Sequence, residues 1–112
     1  MMLTFSDGLG RMELEFKDSR LARVEEGGAA NYASSGVPLE AIDALRKKLH
    51  FLREAPDERT IRNWKSLHYE KLKGDRQDQR SIRLNQKWRL IIRLDENRVP
   101  PKIIILGVED YH

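Results

Sequence analysis

The sequence predicts a single α+β domain in which N-terminal helices pack on a twisted, mainly antiparallel sheet of four or five strands. Its 112 residues suffice for one hydrophobic core and leave too little chain for a second. The apolar period changes from about 3.6 residues in the first half of the chain to about 2 in the second half, and helices followed by strands are typical of this class. Residues 1–11 have no clear period and are expected to form a loose leader, so the domain comprises residues 12–112.

The first elements are a short strand and a brief helix. Apolar and acidic residues alternate over residues 12–16, which predicts a strand with one buried face. Asp18 or Ser19 can cap a helix that runs to Glu26, since both side chains accept hydrogen bonds from helical N–H groups. Two glycines then end the helix, and residues 27–36 are expected to be a loop.

The clearest helix begins at Pro38, a residue suited to a first helical turn. Apolar residues follow at steps of three and four and predict one inward stripe, made of Leu39, Ile42, Leu45, Leu49 and Leu52. Pro56 ends the helix, and residues 55–66 are expected to be an irregular connection around Trp64. Trp64 and Trp88 are expected to be packing residues, because tryptophan buries a large area.

Strand periodicity dominates the second half of the chain. Strands are predicted at residues 67–69, 82–84, 88–94 and 103–106. The last of these is a continuous apolar run, which indicates burial on both faces. Turns are expected at residues 73–75 and 95–101.

Arginines gather on one face of the predicted hairpin. Strand alternation places the side chains of Trp88, Leu90, Ile92 and Leu94 on one side of the hairpin. It places those of Arg83, Arg89 and Arg93 on the other side. An arginine-lined sheet face can bind phosphates, because each guanidinium offers several N–H donors and a permanent charge. Pairing of these arginines with acids elsewhere in the chain is the alternative.

Charge is distributed unevenly along the chain. The net charge is +3, but residues 62–93 hold ten Lys or Arg against three acids, a local balance of +7. Such a block attracts polyanions, so nucleic acid is the first partner to consider, with a solvated basic surface as the alternative.

Composition excludes several classes of protein. Cysteine is absent, which excludes disulfides and cysteine-ligated metal sites, whereas histidine and carboxylate metal sites stay formally open. No apolar run approaches the roughly 20 residues of a membrane span. We therefore expect a soluble cytoplasmic protein without a membrane partner, and no cofactor or metal is predicted.

Four sequence pieces occur in an order and spacing typical of one known family. They are Leu-Lys-Gly-Asp-Arg at residues 72–76, Ser-Ile-Arg-Leu-Asn at residues 81–85, Trp-Arg-Leu-Ile at residues 88–91 and Glu-Asp-Tyr-His at residues 109–112. Two upstream pieces agree with the family's first strand and long helix, at residues 16–18 and 36–38. With these pieces the chain, from residue 12 to residue 112, resembles the HigB toxins of the RelE/ParE superfamily.

The resemblance implies a small α+β toxin that enters the ribosomal A site, cleaves mRNA during translation and is held inactive by a HigA-like antitoxin. It also implies a toxin monomer that assembles with the antitoxin into a hetero-oligomer able to bind operator DNA. ParE toxins have a similar fold and act on DNA gyrase, so a ParE-like toxin is one alternative, and a catalytically silent RNA-binding module is another. The outward face of residues 38–55 is highly charged and is a candidate surface for antitoxin docking, with Arg46 and Lys47 as test positions.

The resemblance also implies site residues. In the family, a lysine, an arginine and an Asp-Tyr-His motif are associated with activity, and these are here Lys73, Arg89, Asp110, Tyr111 and His112. Cleavage without a metal needs attack of the neighbouring 2′-OH on phosphorus, a proton for the leaving 5′ oxygen and cations around the phosphate. His112 can exchange protons near neutral pH, and Tyr111 can stack on a base or hydrogen-bond the phosphate.

Two further cations and two further polar residues complete the predicted site. Arg76 and Arg83 add positive charge. Some HigB toxins carry a histidine four residues before the motif glycine, where this chain has Glu70. Glu70 can act as the base, His68 can reach the site from another strand register, or His112 works with less help. Alternation puts His68 and Glu70 on one face, so both can border the site.

Overall fold

The computed structural model describes residues 11–110, which form a five-stranded sheet with helices packed on one face. The strands are β1 (Leu14–Phe16), β2 (Glu70–Lys71), β3 (Gln79–Arg83), β4 (Trp88–Asp95) and β5 (Lys102–Asp110). The helices of this part of the chain are α1 (Ser19–Glu26), α2 (Ala29–Ala33), α3 (Leu39–Glu54) and α4 (Glu58–Asn63), and none of these four is long and apolar enough to cross a membrane. The strand order is β1-β5-β4-β3-β2, with β1 parallel to β5 and the other pairs antiparallel. The predicted α+β fold with a mainly antiparallel sheet is confirmed.

The hydrophobic core lies between α3 and one face of the sheet. The predicted stripe of α3 is buried except at Leu39, which is 73% exposed in the first turn. Pro38 precedes the helix as its N-cap rather than lying in its first turn. The sheet contributes a matching set of buried side chains, which includes Ile82, Leu90, Ile92, Ile103 and Ile105. We call this side the inner face, and the side that points away from the helices the outer face.

Two short helices lie where the sequence predicted irregular chain. α2 occupies part of the loop expected at residues 27–36, where the side-chain amide of Asn31 donates to the carbonyl of Gly27 at 2.8 Å. α4 lies in the connection expected at residues 55–66, where Asp57 accepts a hydrogen bond from an N–H of the first turn at 3.0 Å. Both predictions of irregular structure are wrong, because local hydrogen bonds stabilise helices too short to show a clear apolar period.

The two tryptophans differ in their burial. Trp88 is half-buried, and its indole N–H donates to the carboxylate of Glu40 at 2.9 Å. Trp64 packs edge-on against Phe51, with ring centroids 4.6 Å apart, yet 52% of its surface is exposed. The expected packing role therefore describes Trp64 only in part.

β2 begins later than predicted. Leu67 belongs to a 3-10 helix, Lys65–Leu67, and His68 has a left-handed backbone conformation with φ 48°. A residue in this conformation interrupts a strand, so pairing with β3 begins only at Glu70. The predicted strand at residues 67–69 is wrong for this reason.

β5 is longer than predicted and contains an irregularity. It continues to Asp110, beyond the predicted end at residue 106. Ile92 of β4 lies opposite Ile105, but the preceding residue, Ile91, lies opposite Gly107, so one extra residue of β5 is accommodated. This β-bulge changes which side of the sheet the last residues of β5 face.

Candidate functional site

A row of polar side chains crosses the outer face of the sheet. Arg83 on β3 lies opposite Arg89 on β4, and Arg89 lies opposite Glu109 on β5. Neighbouring strands are about 4.8 Å apart, so Arg89 has Arg83 as its immediate neighbour on one side and Glu109 on the other. His68, just before β2, extends the row on the other side, with its Nε2 atom 3.4 Å from a guanidinium nitrogen of Arg83. We call these four residues the arginine row.

Arg83 and Arg89 place two positive charges opposite each other, and Glu109 on the far side of Arg89 brings a negative charge to the same face. Like charges directly opposite each other in an antiparallel pair destabilise a sheet. Arg83 donates to the carbonyl oxygen of Asn85 at 3.4 Å, and Nε2 of a neutral His68 can accept a second N–H. Local rules of stability are broken chiefly at functional sites, and a phosphate bound between the two guanidinium groups would accept charge-assisted hydrogen bonds from both.

His68 has a strained backbone. Its φ of 48° and ψ of 52° lie in the left-handed region, and its N–H donates to the carbonyl of Lys65 at 3.1 Å, which ends the 3-10 helix. A non-glycine residue in this region costs about 1–3 kcal/mol, and such residues are enriched at active sites and ligand-binding sites. Because of this backbone conformation His68 contacts Arg83 although it lies just before β2 and is not part of that strand.

Arg76 is held by an acidic partner that the sequence did not predict. Its guanidinium donates to both carboxylate oxygens of Glu109, at 3.1 and 2.7 Å, and its Nε donates to Gln79 at 3.0 Å. The hydrogen bonds with Glu109 raise the pKa of Arg76 above its ordinary value. Arg93, on the same face, is 3.9 Å from Asp78. Acid pairing, the alternative to a phosphate surface, therefore applies to Arg93, and to Arg76 as well.

The β-bulge is what brings Glu109 to the outer face. In the first half of β5, Ile103 and Ile105 face inward, and strict alternation would send residue 109 the same way. The extra residue reverses the alternation, so Glu109 comes to lie opposite Arg89. The sequence carries one signal for this, Gly107, because an isolated glycine in a strand pattern suggests a bulge.

Glu70 and Lys73 lie near the β2 edge of the sheet. Glu70 is exposed and lies opposite Ser81 of β3, which is two residues before Arg83. Glu70 is therefore on the outer face. Lys73 is also exposed and directly precedes a 3-10 helix, Gly74–Arg76, which replaces the simple turn expected at residues 73–75. This helix begins with a φ of 70°, a conformation that favours glycine. One loop beside the arginine row therefore carries both Lys73 and Arg76.

The Asp-Tyr-His motif is described only in part. Asp110 lies opposite Trp88 on the inner side of the sheet, whereas the arginine row lies on the outer side. Tyr111 and His112 lie outside the described residues. The predicted role of these three residues stays a prediction.

The outer face combines groups that can bind an anion with groups that can accept a proton. Arg83 and Arg89 offer fixed N–H donors and permanent charge, whereas His68 and Glu70 can accept a proton. Within residues 11–110, no three His, Cys, Asp or Glu side chains are grouped so that they could hold a metal ion. The arrangement matches the requirements of a bound phosphodiester.

Comparisons with known proteins agree with this fold. Residues 14–105 match the family model for the HigB-like toxin, described as the RelE-like toxin of type II toxin-antitoxin system HigB. Among solved structures, the chain is similar to the YoeB/ParE toxin from Agrobacterium tumefaciens, with a TM-score of 0.53 and 14% sequence identity. That match covers 90% of this chain and 100% of the other, and at such low identity it concerns the fold alone. A comparison with curated protein sequences finds no match.

Proposed function

The chain belongs to the HigB-like family of RelE-like toxins of type II toxin–antitoxin systems, and from this premise we propose that it is a ribosome-dependent mRNA endonuclease. Membership of the family implies an antitoxin partner. The observation that supports RNA cleavage is the arginine row, in which two arginines face each other between an imidazole and a carboxylate. A polyanion that binds there would meet two permanent positive charges that carry N–H donors.

In this proposal Lys73, Arg83 and Arg89 hold the scissile phosphate. Negative charge accumulates on the phosphate oxygens as the 2′-OH attacks, and fixed cations stabilise that charge more than they stabilise the ground state. Arg76 is occupied by Glu109 in the free protein, so it becomes a phosphate contact only when that carboxylate is displaced.

Proton transfer completes the proposed reaction. The attacking 2′-OH gives its proton to a base, the P–O5′ bond breaks, and the leaving oxygen receives a proton from an acid, which yields a 2′,3′-cyclic phosphate and a 5′-OH. His112 is the proposed acid–base group, Tyr111 stacks on a base or hydrogen-bonds the phosphate, and Asp110 supports them. Glu70 or His68 supplies the second proton-transfer group, since His68 belongs to the arginine row and Glu70 lies beside it on the outer face.

The test is induction of the toxin in a bacterial culture with mapping of mRNA ends. The wild-type protein should arrest translation and produce cuts inside translated messages, and Arg83→Ala should lose most of this cutting. Arg98→Ala is the matched control, because Arg98 is an exposed arginine that pairs with Glu13 at 2.8 Å, beside β1 at the other edge of the sheet. Arg98→Ala should cut like the wild type.

Other outcomes of this experiment point to other functions. Intact messages together with falling DNA supercoiling would favour a ParE-like toxin that acts on gyrase. RNA binding with a steep salt dependence but no cutting would favour a catalytically silent RNA-binding module.

We further propose a HigA-like antitoxin as the partner, a cytoplasmic location where messages are translated, and a toxin that is monomeric until it meets the antitoxin. The complex of the two proteins would then bind operator DNA. Light scattering on the toxin alone and on the co-expressed pair tests the assembly, and a gel-shift experiment with the promoter of the operon tests DNA binding.

A further inference from the structure

An apolar groove lies on the helix side of the molecule, between the C-terminal half of α3 and the segment that joins α4 to β2. Its volume is about 430 Å³, and Phe51, Trp64 and Leu67 form its apolar wall. The rings of Phe51 and Trp64 meet edge to face at 70°. The N–H of Trp64 donates to the hydroxyl of Ser66 at 2.6 Å, so the exposed part of the indole is its apolar surface. We call this site the α3 groove.

The rim of the α3 groove is cationic. Its polar lining residues include Lys47, Lys48, His50 and Glu54. Glu54 is the one acid among the lining residues that the structure describes, and its charge is compensated by Arg11 at 3.2 Å. Lys47 is likewise compensated by Asp43 at 3.1 Å. Lys48 has no ion pair with another residue of the part of the chain that the structure describes, which favours a partner with acidic residues beside a buried apolar one.

We propose that the α3 groove binds the antitoxin, by taking an apolar side chain from an acidic segment of that protein. This inference rests on the proposed toxin–antitoxin pairing and is independent of the cleavage chemistry. The aromatic wall favours an apolar side chain over a phosphate group, because a phosphate against that wall would lose hydration without gaining a donor from it. The groove lies on the helix side of the sheet and meets the arginine row only where Leu67 precedes His68, so an antitoxin segment bound in it leaves Arg83 and Arg89 uncovered.

The test measures the affinity of the antitoxin encoded in the same operon for variants of the full toxin chain. Trp64→Ala removes the aromatic wall, and Lys48→Glu reverses the charge at the rim. Each change should weaken binding roughly tenfold or more, the loss typical of an anchor residue. The loss for Lys48→Glu should shrink as salt is added, because it arises from charge.

The matched control is Leu39→Ala. Leu39 is an exposed apolar residue of the same helix, at the end away from the groove, with 73% of its surface exposed. Its replacement should leave antitoxin affinity within about twofold of the wild type. Thermal melts of all three variants separate loss of the fold from loss of the contact, and equal affinities for the wild type, Trp64→Ala and Lys48→Glu would overturn the proposal.

Fluorescence gives a second readout. The chain has two tryptophans, so in a Trp88→Phe background the emission reports Trp64 alone. Binding of the antitoxin should shift this emission to shorter wavelength as the indole leaves water, and unchanged emission would contradict the proposal. If removal of residues 1–10 alone shifts the Trp64 emission, the groove binds the chain's own N-terminal segment, and the proposal is overturned.

Cutting of ribosome-bound mRNA is measured on the same variants. Trp64→Ala should cut like the wild type, because Trp64 lies outside the arginine row and its loop. Normal antitoxin binding with lost cutting would assign the groove to RNA and refute the proposed occupant. Absence of cutting in the wild type itself, with the predicted pattern of antitoxin affinities, would refute the proposed function and leave this inference standing.

Discussion

Replacing Glu109 with glutamine should free Arg76 for contact with RNA. In the native protein the carboxylate of Glu109 holds the guanidinium of Arg76 at 3.1 and 2.7 Å. The two side chains are 39% and 42% exposed, so the pair contributes at most about 1 kcal/mol to stability, and Glu109→Gln should unfold almost like the wild type. The change should act instead on RNA binding, because the charge of the outer face rises by one unit.

Counterion release sets the size of this effect. Each phosphate neutralised on a single strand makes the slope of log affinity against log salt concentration more negative by about 0.7. One additional phosphate contact, made by Arg76, should therefore tighten binding of a short RNA about eightfold at about 50 mM salt and about threefold at about 200 mM salt.

Fluorescence anisotropy with a 2′-O-methyl RNA measures this binding, because the blocked 2′ oxygen cannot attack the phosphate. The double variant Arg76→Ala with Glu109→Gln should return to the wild-type salt slope, since it removes the cation that the single variant frees. Equal slopes for the wild type and Glu109→Gln would refute the reasoning, because the outer face would then make no phosphate contact within reach of Arg76.

Three other predictions concern catalysis and stability. Arg89→Ala should raise the barrier to mRNA cleavage by about 2–4 kcal/mol while the melting temperature changes little, and parallel losses of activity and stability would identify Arg89 as structural. Leu45→Ala should lower the free energy of unfolding in urea by about 2–5 kcal/mol, because Leu45 is fully buried, and a loss below about 1 kcal/mol would contradict the packing of α3 on the sheet. Asp18→Ala should lower the free energy of unfolding by about 1 kcal/mol at neutral pH through loss of the N-cap of α1. Hydrogen bonds from Arg20 hold the pKa of Asp18 below its ordinary value, so this stabilisation is present above about pH 4 and is lost as the pH falls through the lowered pKa. Urea titrations at several pH values should show the two proteins converging in acid, and a constant difference would contradict the assignment.

The sequence predicts the long elements well because their apolar patterns are strong. α3 buries one side along four turns, and β4 alternates between apolar and charged residues except at Ile91, so a sequence pattern reveals both elements. α2 has no buried residue and α4 has one, Ile61, so neither produces a period that a sequence can reveal. α4 has a local N-cap signal, Asp57, whereas α2 has no side-chain N-cap hydrogen bond, and a cap without an apolar period is too weak a signal to predict a helix.

The candidate site is predictable only as far as strand alternation extends. Alternation correctly puts Arg83 and Arg89 on one face, since β3 and β4 pair without a break at these positions. It cannot reveal that a bulge carries Glu109 to the same face, because the bulge depends on how β5 pairs with β4. It also cannot reveal the left-handed conformation of His68, which shifts the start of β2.

The most direct test of the proposed function is the chemistry of the RNA ends made on purified ribosomes. The toxin is added to ribosomes that hold a defined message, and the fragments are analysed by mass spectrometry. Attack by the 2′-OH predicts a 2′,3′-cyclic phosphate on one fragment and a 5′-OH on the other, no cutting when the nucleotide at the cut site is 2′-deoxy, and a strongly reduced rate for His112→Ala. Fragments that end in 3′-OH and 5′-phosphate, or intact messages under conditions where the toxin occupies the ribosome, would contradict the proposed reaction.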